Sequence, residues 1–256
     1  MSFEGKRVVI TGSSRGIGLA CAEEFIRQGA RVAVNGRTPA STEDALAKLN
    51  AGNAAVPAAG DVSTKAGCDS IIASTVKHLG GVDVLVNSAG LGPAGPMESC
   101  TESLWDETLA VNLKGTFFCI QAAVPHLKSA RGNVVNVGSD AGLMGESGLS
   151  VYCASKGGVV NLTRALALEL APLVRVNCVC PGYVDTDMVR RDMIEQAPDP
   201  VAAEQELSDY APLKRIAQPV EIARAVAFIA DEGASFMTGA AIPLDGGSTA
   251  GHPKPD

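Results

Sequence analysis

From residue 6 onward, short apolar runs alternate with longer stretches in which apolar positions recur every three or four residues. Runs rich in β-branched residues and bounded by glycine or polar residues predict strands; the 3.6-residue period predicts helices. A strand beginning at Lys6 leads through a glycine-rich turn to a helix over 18–28, closed by Gly29, and to a strand over 31–35. The alternation continues with helix 42–49, strand 54–58, helix 63–79 and strand 82–86. A helical stretch over 102–128, read as broken into two, precedes strand 133–137, helix 151–170, strand 175–179, helix 220–230 and a last strand over 240–244. Apolar runs suited to burial on both faces, each followed by a helix, predict a parallel sheet covered on each side. The expected architecture is α/β: one doubly wound domain over 1–250, with a tail over 251–256. The polar, proline-bearing stretch 183–218 leaves the carboxyl end of a strand, where ligands sit in such sheets, and is expected to be a substrate lid.

Charge and composition narrow the function. The chain has 256 residues, with 21 basic against 28 acidic side chains, and its cations are scattered, which argues against nucleic-acid binding. Apolar runs such as Val8-Val9-Ile10 fall well short of the ~18 residues of a membrane span. The start Met1-Ser2-Phe3-Glu4 carries charge in place of an apolar signal core, and the seven cysteines form no Cys-x-x-Cys pair, so a reducing cytoplasm is expected. His78, His126 and His252 stand alone, and no metal is expected. Cys153, Cys178 and Cys180 read as small buried hydrophobes.

The turn after the first strand is Thr11-Gly12-Ser13-Ser14-Arg15-Gly16-Ile17-Gly18. Glycines let the backbone approach a pyrophosphate, and the following helix presents unpaired N–H groups and the positive end of its dipole. Strand, glycine turn, helix and second strand together point to a dinucleotide.

That turn belongs to a longer series: Asp61-Val62 after the third strand, Asn87-Ser88-Ala89-Gly90 after the fourth, Asn112, Ser139, Tyr152-Cys153-Ala154-Ser155-Lys156, Pro181-Gly182 and Asp245-Gly246-Gly247. With these motifs in this order the chain resembles the short-chain dehydrogenase/reductase family over nearly its whole length. The resemblance implies a Rossmann-type sheet, an NAD(P)(H) cofactor and interconversion of a carbonyl with a secondary alcohol. It also implies that Asp61 holds the adenine edge, that Asn87 steadies the strand beside the cofactor, and that Ile17, Val62, Ala89, Gly90, Pro181, Gly182 and Val184 border it. Ser88 departs from the commoner second asparagine of its motif. At the end of the second strand, where a carboxylate would bind the ribose hydroxyls of NAD, stand Asn35-Gly36-Arg37-Thr38. Arg37 and Arg15 suit the 2′-phosphate of NADP, for which a guanidinium is geometrically matched, so NADP(H) is expected over NAD(H).

Tyr152 and Lys156 are four residues apart in a helical pattern and so share a face. A tyrosine with an unperturbed pKa of about 10 needs roughly 4 kcal/mol of preferential phenolate stabilisation to shuttle protons at neutral pH. A cation at about 4 Å supplies ~1 kcal/mol in water but ~4 kcal/mol at an effective dielectric near 20, so the pair is expected to be partly buried. By resemblance Ser139 holds the substrate oxygen, Tyr152 donates or accepts its proton, and Asn112 anchors a water chain to Lys156.

Leu91, Leu143, Met144, Tyr183, Met188 and Met193 are the candidate substrate contacts, a mostly apolar set that favours a moderately hydrophobic ketone or secondary alcohol. Asp140 and Glu146 read as solvated loop carboxylates. One rival is reduction of a 3-oxoacyl chain on an acidic carrier protein, for which Lys128 and Arg131 offer only a small basic patch. Another is a cofactor-sensing regulator without turnover, which the full Asn112, Ser139, Tyr152 and Lys156 set disfavours. The resemblance implies a homotetramer.

Overall fold

The computed structural model describes residues 2–251. Its chain order is β1 (Arg7–Thr11), α1 (Gly16–Arg27), β2 (Arg31–Val34), α2 (Pro39–Leu49), β3 (Ala55–Pro57), α3 (Lys65–Leu79) and β4 (Val84–Asn87). There follow α4 (Glu102–Leu109), α5 (Gly115–Ala130), β5 (Asn133–Val137), α6 (Ser150–Leu170) and β6 (Arg175–Pro181). The last part holds α7 (Asp187–Val189), α8 (Pro200–Tyr210), α9 (Pro219–Ala230) and β7 (Ala241–Leu244). The seven strands form one sheet in the order β3-β2-β1-β4-β5-β6-β7, and every pairing is parallel. This is the expected doubly wound sheet, with strand order reversing between β1 and β4, where a crevice opens at the carboxyl ends.

The central strands are buried on both faces because neighbouring residues serve different layers, while the edge strands β3 and β7 are partly exposed. Val8, Ile10, Val32, Val34, Val84 and Val86 point to one side, where Ala22 and Phe25 of α1 and Ile222, Val226 and Ile229 of α9 cover them. Val9, Ala33, Leu85 and Val134 point to the other, against Ile71 and Ile72 of α3, Ile120 and Leu127 of α5 and Leu166 and Leu170 of α6. Period-2 alternation therefore sorts residues between two apolar layers, which is why the strands read as continuous apolar runs.

Local signals explain where the boundaries differ from expectation. Helix α2 starts at Pro39, earlier than periodicity alone predicts, because Thr38 accepts the Ser41 N–H and proline suits the first helical position. The break expected within 102–128 is a π-helical turn over Ala110–Lys114, with no loop between α4 and α5. Such turns add one residue to the helical repeat and are frequent at functional sites. The stretch 183–218 contains α7, a π-helical turn over Arg190–Ile194 and α8, and is pinned to itself by Arg190, which bridges Asp185 and Glu204.

Phe25 has no exposed surface and meets Phe3 edge-on at 4.8 Å between ring centroids. Phe25→Ala is expected to lower unfolding free energy by about 3–5 kcal/mol, measured by urea denaturation.

Candidate active site

The glycine turn is tied to the strand ends around it, in part through its own Ser13, whose hydroxyl donates to Ile10 O and accepts the Asn35 N–H, both at 2.8 Å. Thr11 Oγ1 accepts the Ser88 and Ala89 N–H groups at 3.1 and 3.3 Å, tying the end of β1 to the end of β4. Asn35, closing β2 and 2% exposed, accepts the Gly12 N–H through Oδ1 at 3.0 Å. Its amide donates to the carbonyls of Gly36, Ala58 and Gly60. Gly12 has φ +64, and a Cβ there would stand 2.6 Å from Ala89 Cα, so only glycine fits. Helix α1 has no side-chain cap and no acid in its first turn, whereas α2 and α3 are capped by Thr38 and Thr64. The free N–H groups at the start of α1 thus face the crevice without competition, the donor set an anionic pyrophosphate requires. Sequence reading missed Asn35; its signal is a polar residue closing an apolar strand beside the turn.

From this turn a cleft of about 740 Å³ runs along the strand ends to Tyr152, a volume suited to an extended small molecule. Its walls bring together Gly12, Ser14, Arg15, Gly16, Ile17, Gly18, Arg37, Asp61, Val62, Ala89, Gly90, Pro181, Gly182 and Val184 with Leu91, Met188, Ser139, Tyr152 and Lys156. Thr186 and Arg191 of the stretch after β6 join them, which the sequence reading did not single out. Asn87 lies outside the wall, donating to Asn136 Oδ1 at 2.9 Å.

At the end of the cleft beside β2 and α2, Arg37 is exposed. A Cβ on Gly36 would meet Ser41 Oγ at 2.5 Å and Thr42 N at 2.8 Å, so no carboxylate can stand there without displacing α2. Arg15 Nη1 lies 3.8 Å from Asp187 Oδ2 at the start of α7, a mostly solvated pairing worth little against a phosphate dianion.

At the other end, Tyr152 and Lys156 project from α6. Lys156 is 5% exposed, its Nζ donates to Val137 O at 2.9 Å, and it lies 5.6 Å from the Tyr152 ring centroid. Burial pulls the lysine down to about 8 and pushes the tyrosine up to about 12. Lys156 is buried and Tyr152 half-buried, and in this state desolvation dominates the shift of each. The reason is geometric: the ammonium is turned to a carbonyl. Ser139 is 7% exposed, caps the turn Asp140–Gly142, and accepts the Ala141 N–H at 3.2 Å.

Asn112 sits in the π-helical turn with its side chain fully used: Oδ1 accepts the Leu91 N–H, and Nδ2 donates to Leu91 O and Ser155 Oγ. It clasps the segment carrying Gly90 and Leu91 to α6. Leu143 packs against Val159, Val160, Cys178 and Cys180, and Met193 against Val189, Ile194 and Ile216. Neither these nor Met144 lines the cleft. Tyr183 borders a smaller cavity with Tyr210 and donates to Glu146. The solvated reading of the two acids is corrected here: Asp140 is 4% exposed, and Glu146 is half-buried with Tyr183 as partner. Among the described residues no helix is long and apolar enough to cross a membrane, and no acid, histidine and cysteine cluster fits a metal.

Comparison with known proteins agrees with this geometry. Residues 12–249 match a short-chain alcohol dehydrogenase family model described as enoyl-(acyl carrier protein) reductase. Meso-2,3-butanediol dehydrogenase of Serratia marcescens is 38% identical over 257 residues, covering 99% of this chain and 99% of that protein. L-fucose dehydrogenase of Mus musculus is 37% identical, covering 98% of this chain and 90% of that protein. A ligand-free aldohexose dehydrogenase structure from Thermoplasma acidophilum superposes with TM-score 0.89 at 33% identity, covering 99% and 98% of the two chains.

Replacing Asn35 with Ala removes the Gly12 N–H acceptor and the amide that donates to the Gly36, Ala58 and Gly60 carbonyls, of which Gly36 O still accepts the Gly60 N–H. Affinity for NAD(P)(H) by fluorescence titration is expected to fall by about tenfold or more while circular dichroism shows the fold retained.

Proposed function

As a member of the short-chain dehydrogenase/reductase family this chain is an oxidoreductase acting on CH–OH groups, and we propose that it is an NADP(H)-preferring enzyme whose Tyr152 exchanges the substrate proton. The observation that carries this reading is one continuous cleft with a free helix N-terminus and Arg37 at one end and half-buried Tyr152 beside buried Lys156 and Ser139 at the other. Gly12, Gly16 and the first turn of α1 would hold the pyrophosphate, Arg37 and Arg15 the 2′-phosphate, and Asp61 the adenine edge. The bound nicotinamide supplies the hydride acceptor or donor and, when oxidised, a positive charge near Tyr152.

That charge matters for the proton. Each pKa unit is worth about 1.4 kcal/mol, so bringing a phenol from about 12 toward neutrality takes several kcal/mol, more than one partly shielded ammonium provides. Lys156 and the cofactor must act together, which couples cofactor binding to tyrosine ionisation. In oxidation, phenolate Tyr152 takes the alcohol proton; in reduction, phenol Tyr152 gives it to the carbonyl oxygen. Oxidation is therefore favoured as pH rises through the tyrosine pKa, and reduction below it.

Leu91 and Met188 offer apolar contact to the substrate, a secondary alcohol or ketone. The named relatives act on a diol and on sugars, which supports small neutral substrates over a carrier-bound acyl chain. The seven free cysteines suit a reducing, cytoplasmic setting, and the family resemblance supports a homotetramer.

Turnover of butane-2,3-diol, cyclohexanol, fucose and a 3-oxoacyl thioester with each cofactor tests the reading. Expected is a kcat/KM for NADP(H) at least about tenfold above NAD(H), lost in Arg37→Glu; an equal or NAD-favouring ratio removes the 2′-phosphate assignment. Tyr152→Phe should bind NADP normally and lose all but about 10⁻² to 10⁻⁴ of activity; near wild-type turnover would refute the mechanism. Lys156→Met should move the rising limb of oxidation to higher pH, because the phenolate loses its fixed cation.

A further inference from the structure

Asp140 directly follows Ser139 and is almost fully enclosed, at 4% exposure. Its Oδ1 accepts the Ser139 hydroxyl at 3.0 Å and the Ala141 N–H at 2.8 Å; its Oδ2 accepts the Ser248 hydroxyl at 3.1 Å. Gly182, in the loop after β6, closes over it, since a Cβ there would stand 3.2 Å from Oδ2. None of the ion pairs among the described residues includes this carboxyl.

A serine hydroxyl has a single proton to donate. While Asp140 is a carboxylate, that proton goes to Oδ1, and the Ala141 N–H already occupies one lone pair of Ser139 Oγ. Charge-assisted hydrogen bonds are about twice as strong as neutral ones, so a ketone oxygen cannot compete for the serine proton. A neutral carboxyl is a far weaker acceptor and releases it. We propose that Asp140 is a positioning residue whose own proton decides whether Ser139 can donate to a ketone oxygen, and so sets the pH range of fast reduction. The assignment rests on the Ser139 and Tyr152 chemistry proposed above.

The groups around Asp140 favour a proton on it. Burial holds the carboxyl above its ordinary value, and Asp245, beyond β7, adds repulsion; the Ser139, Ala141 and Ser248 donors pull the other way. Glu146 of the same loop, Tyr183 beyond β6 and Tyr210 of α8 also feel Asp140 and are themselves shifted upward. On α6, Tyr152 is a phenol in this state, Cys153 neighbours it, and the Lys156 ammonium is engaged with Val137 O. No guanidinium faces the carboxyl among these groups.

The test is the pH profile of kcat/KM for reduction by NADPH of whichever of butane-2,3-dione, acetoin and cyclohexanone is reduced fastest. Wild type is expected to lose at least about tenfold as pH rises through one ionisation below that of Tyr152, in line with the loss of one oxyanion donor. Asp140→Asn, which keeps the Ala141 N–H acceptor and cannot ionise, should remove that limb, while Glu146→Gln should keep it. Ser248→Ala, lying outside the reacting groups, withdraws a donor from the carboxylate and should move the limb to higher pH. Infrared titration of the carboxyl C=O band, wild type minus Asp140→Asn, should show the same ionisation without substrate. A wild-type profile without the limb, its persistence in Asp140→Asn, its loss in Glu146→Gln, or an unmoved limb in Ser248→Ala each overturns the assignment. If Asp140→Asn does not fold, the Ser248→Ala and Glu146→Gln profiles decide. An active Tyr152→Phe would instead bring down the underlying mechanism, so the two failures are separable.

Discussion

Lys156 keeps its ammonium in a pocket with one carbonyl, Val137 O, as its hydrogen-bond partner, and Tyr152 stands beside it. Withholding water from both groups raises the energy of each charged form, which is why the lysine falls to about 8 and the tyrosine rises to about 12. A site built this way holds its acid and its cation in reserve. Charge brought into the cleft acts at low dielectric and moves the tyrosine further than the same charge would in water. The rest of the architecture serves that arrangement: β5 supplies the carbonyl, α6 supplies both side chains, and the sheet beneath excludes solvent.

The opposite end of the cleft obeys a different constraint. There the first turn of α1 keeps its N–H groups free of side-chain caps, and within the glycine turn the buried Ser13 hydroxyl bonds only to backbone, donating to Ile10 O and accepting the Asn35 N–H. Asn35 and Thr11 stabilise it from β2 and β1, on strands that are rigid because both their faces are packed. At Gly36 there is little room: α2 crowds the spot where a side chain would stand, and Arg37 is the charged group beside it. Positioning by strands and recognition by loops are thus divided between parts of the chain with different stiffness.

Between the two ends, the substrate region has a mixed character that its apolar sequence candidates do not convey. Leu91 and Met188 face the cleft, yet Asp140, Glu146 and Tyr183 gather behind Ser139. Asp140 reads as a surface acid in sequence because it follows a strand in a glycine-containing loop. Its burial comes from three segments far apart in the chain, the loop after β5, Gly182 after β6 and Ser248 after β7, converging on one carboxyl.

Alternating strand and helix periods, the glycine turn and the Tyr152–Lys156 spacing are local properties, governed by dihedral preferences and side-chain direction within a few residues. From them the sequence alone determined a doubly wound sheet, the glycine turn at one strand end and the shared face of Tyr152 and Lys156, while the other wall residues followed from the family resemblance. It did not reach contacts made between segments distant in the chain: the Asn35 clasp, the Asn112 clasp on Leu91, the diversion of Leu143 and Met193 into packing, and the enclosure of Asp140. These depend on which strand ends meet at the sheet edge, and hydrogen-bond partners and desolvation exist only once the sheet has brought them together. Tertiary structure therefore decided the protonation states in the cleft, because the cost of a buried charge is set by everything around it.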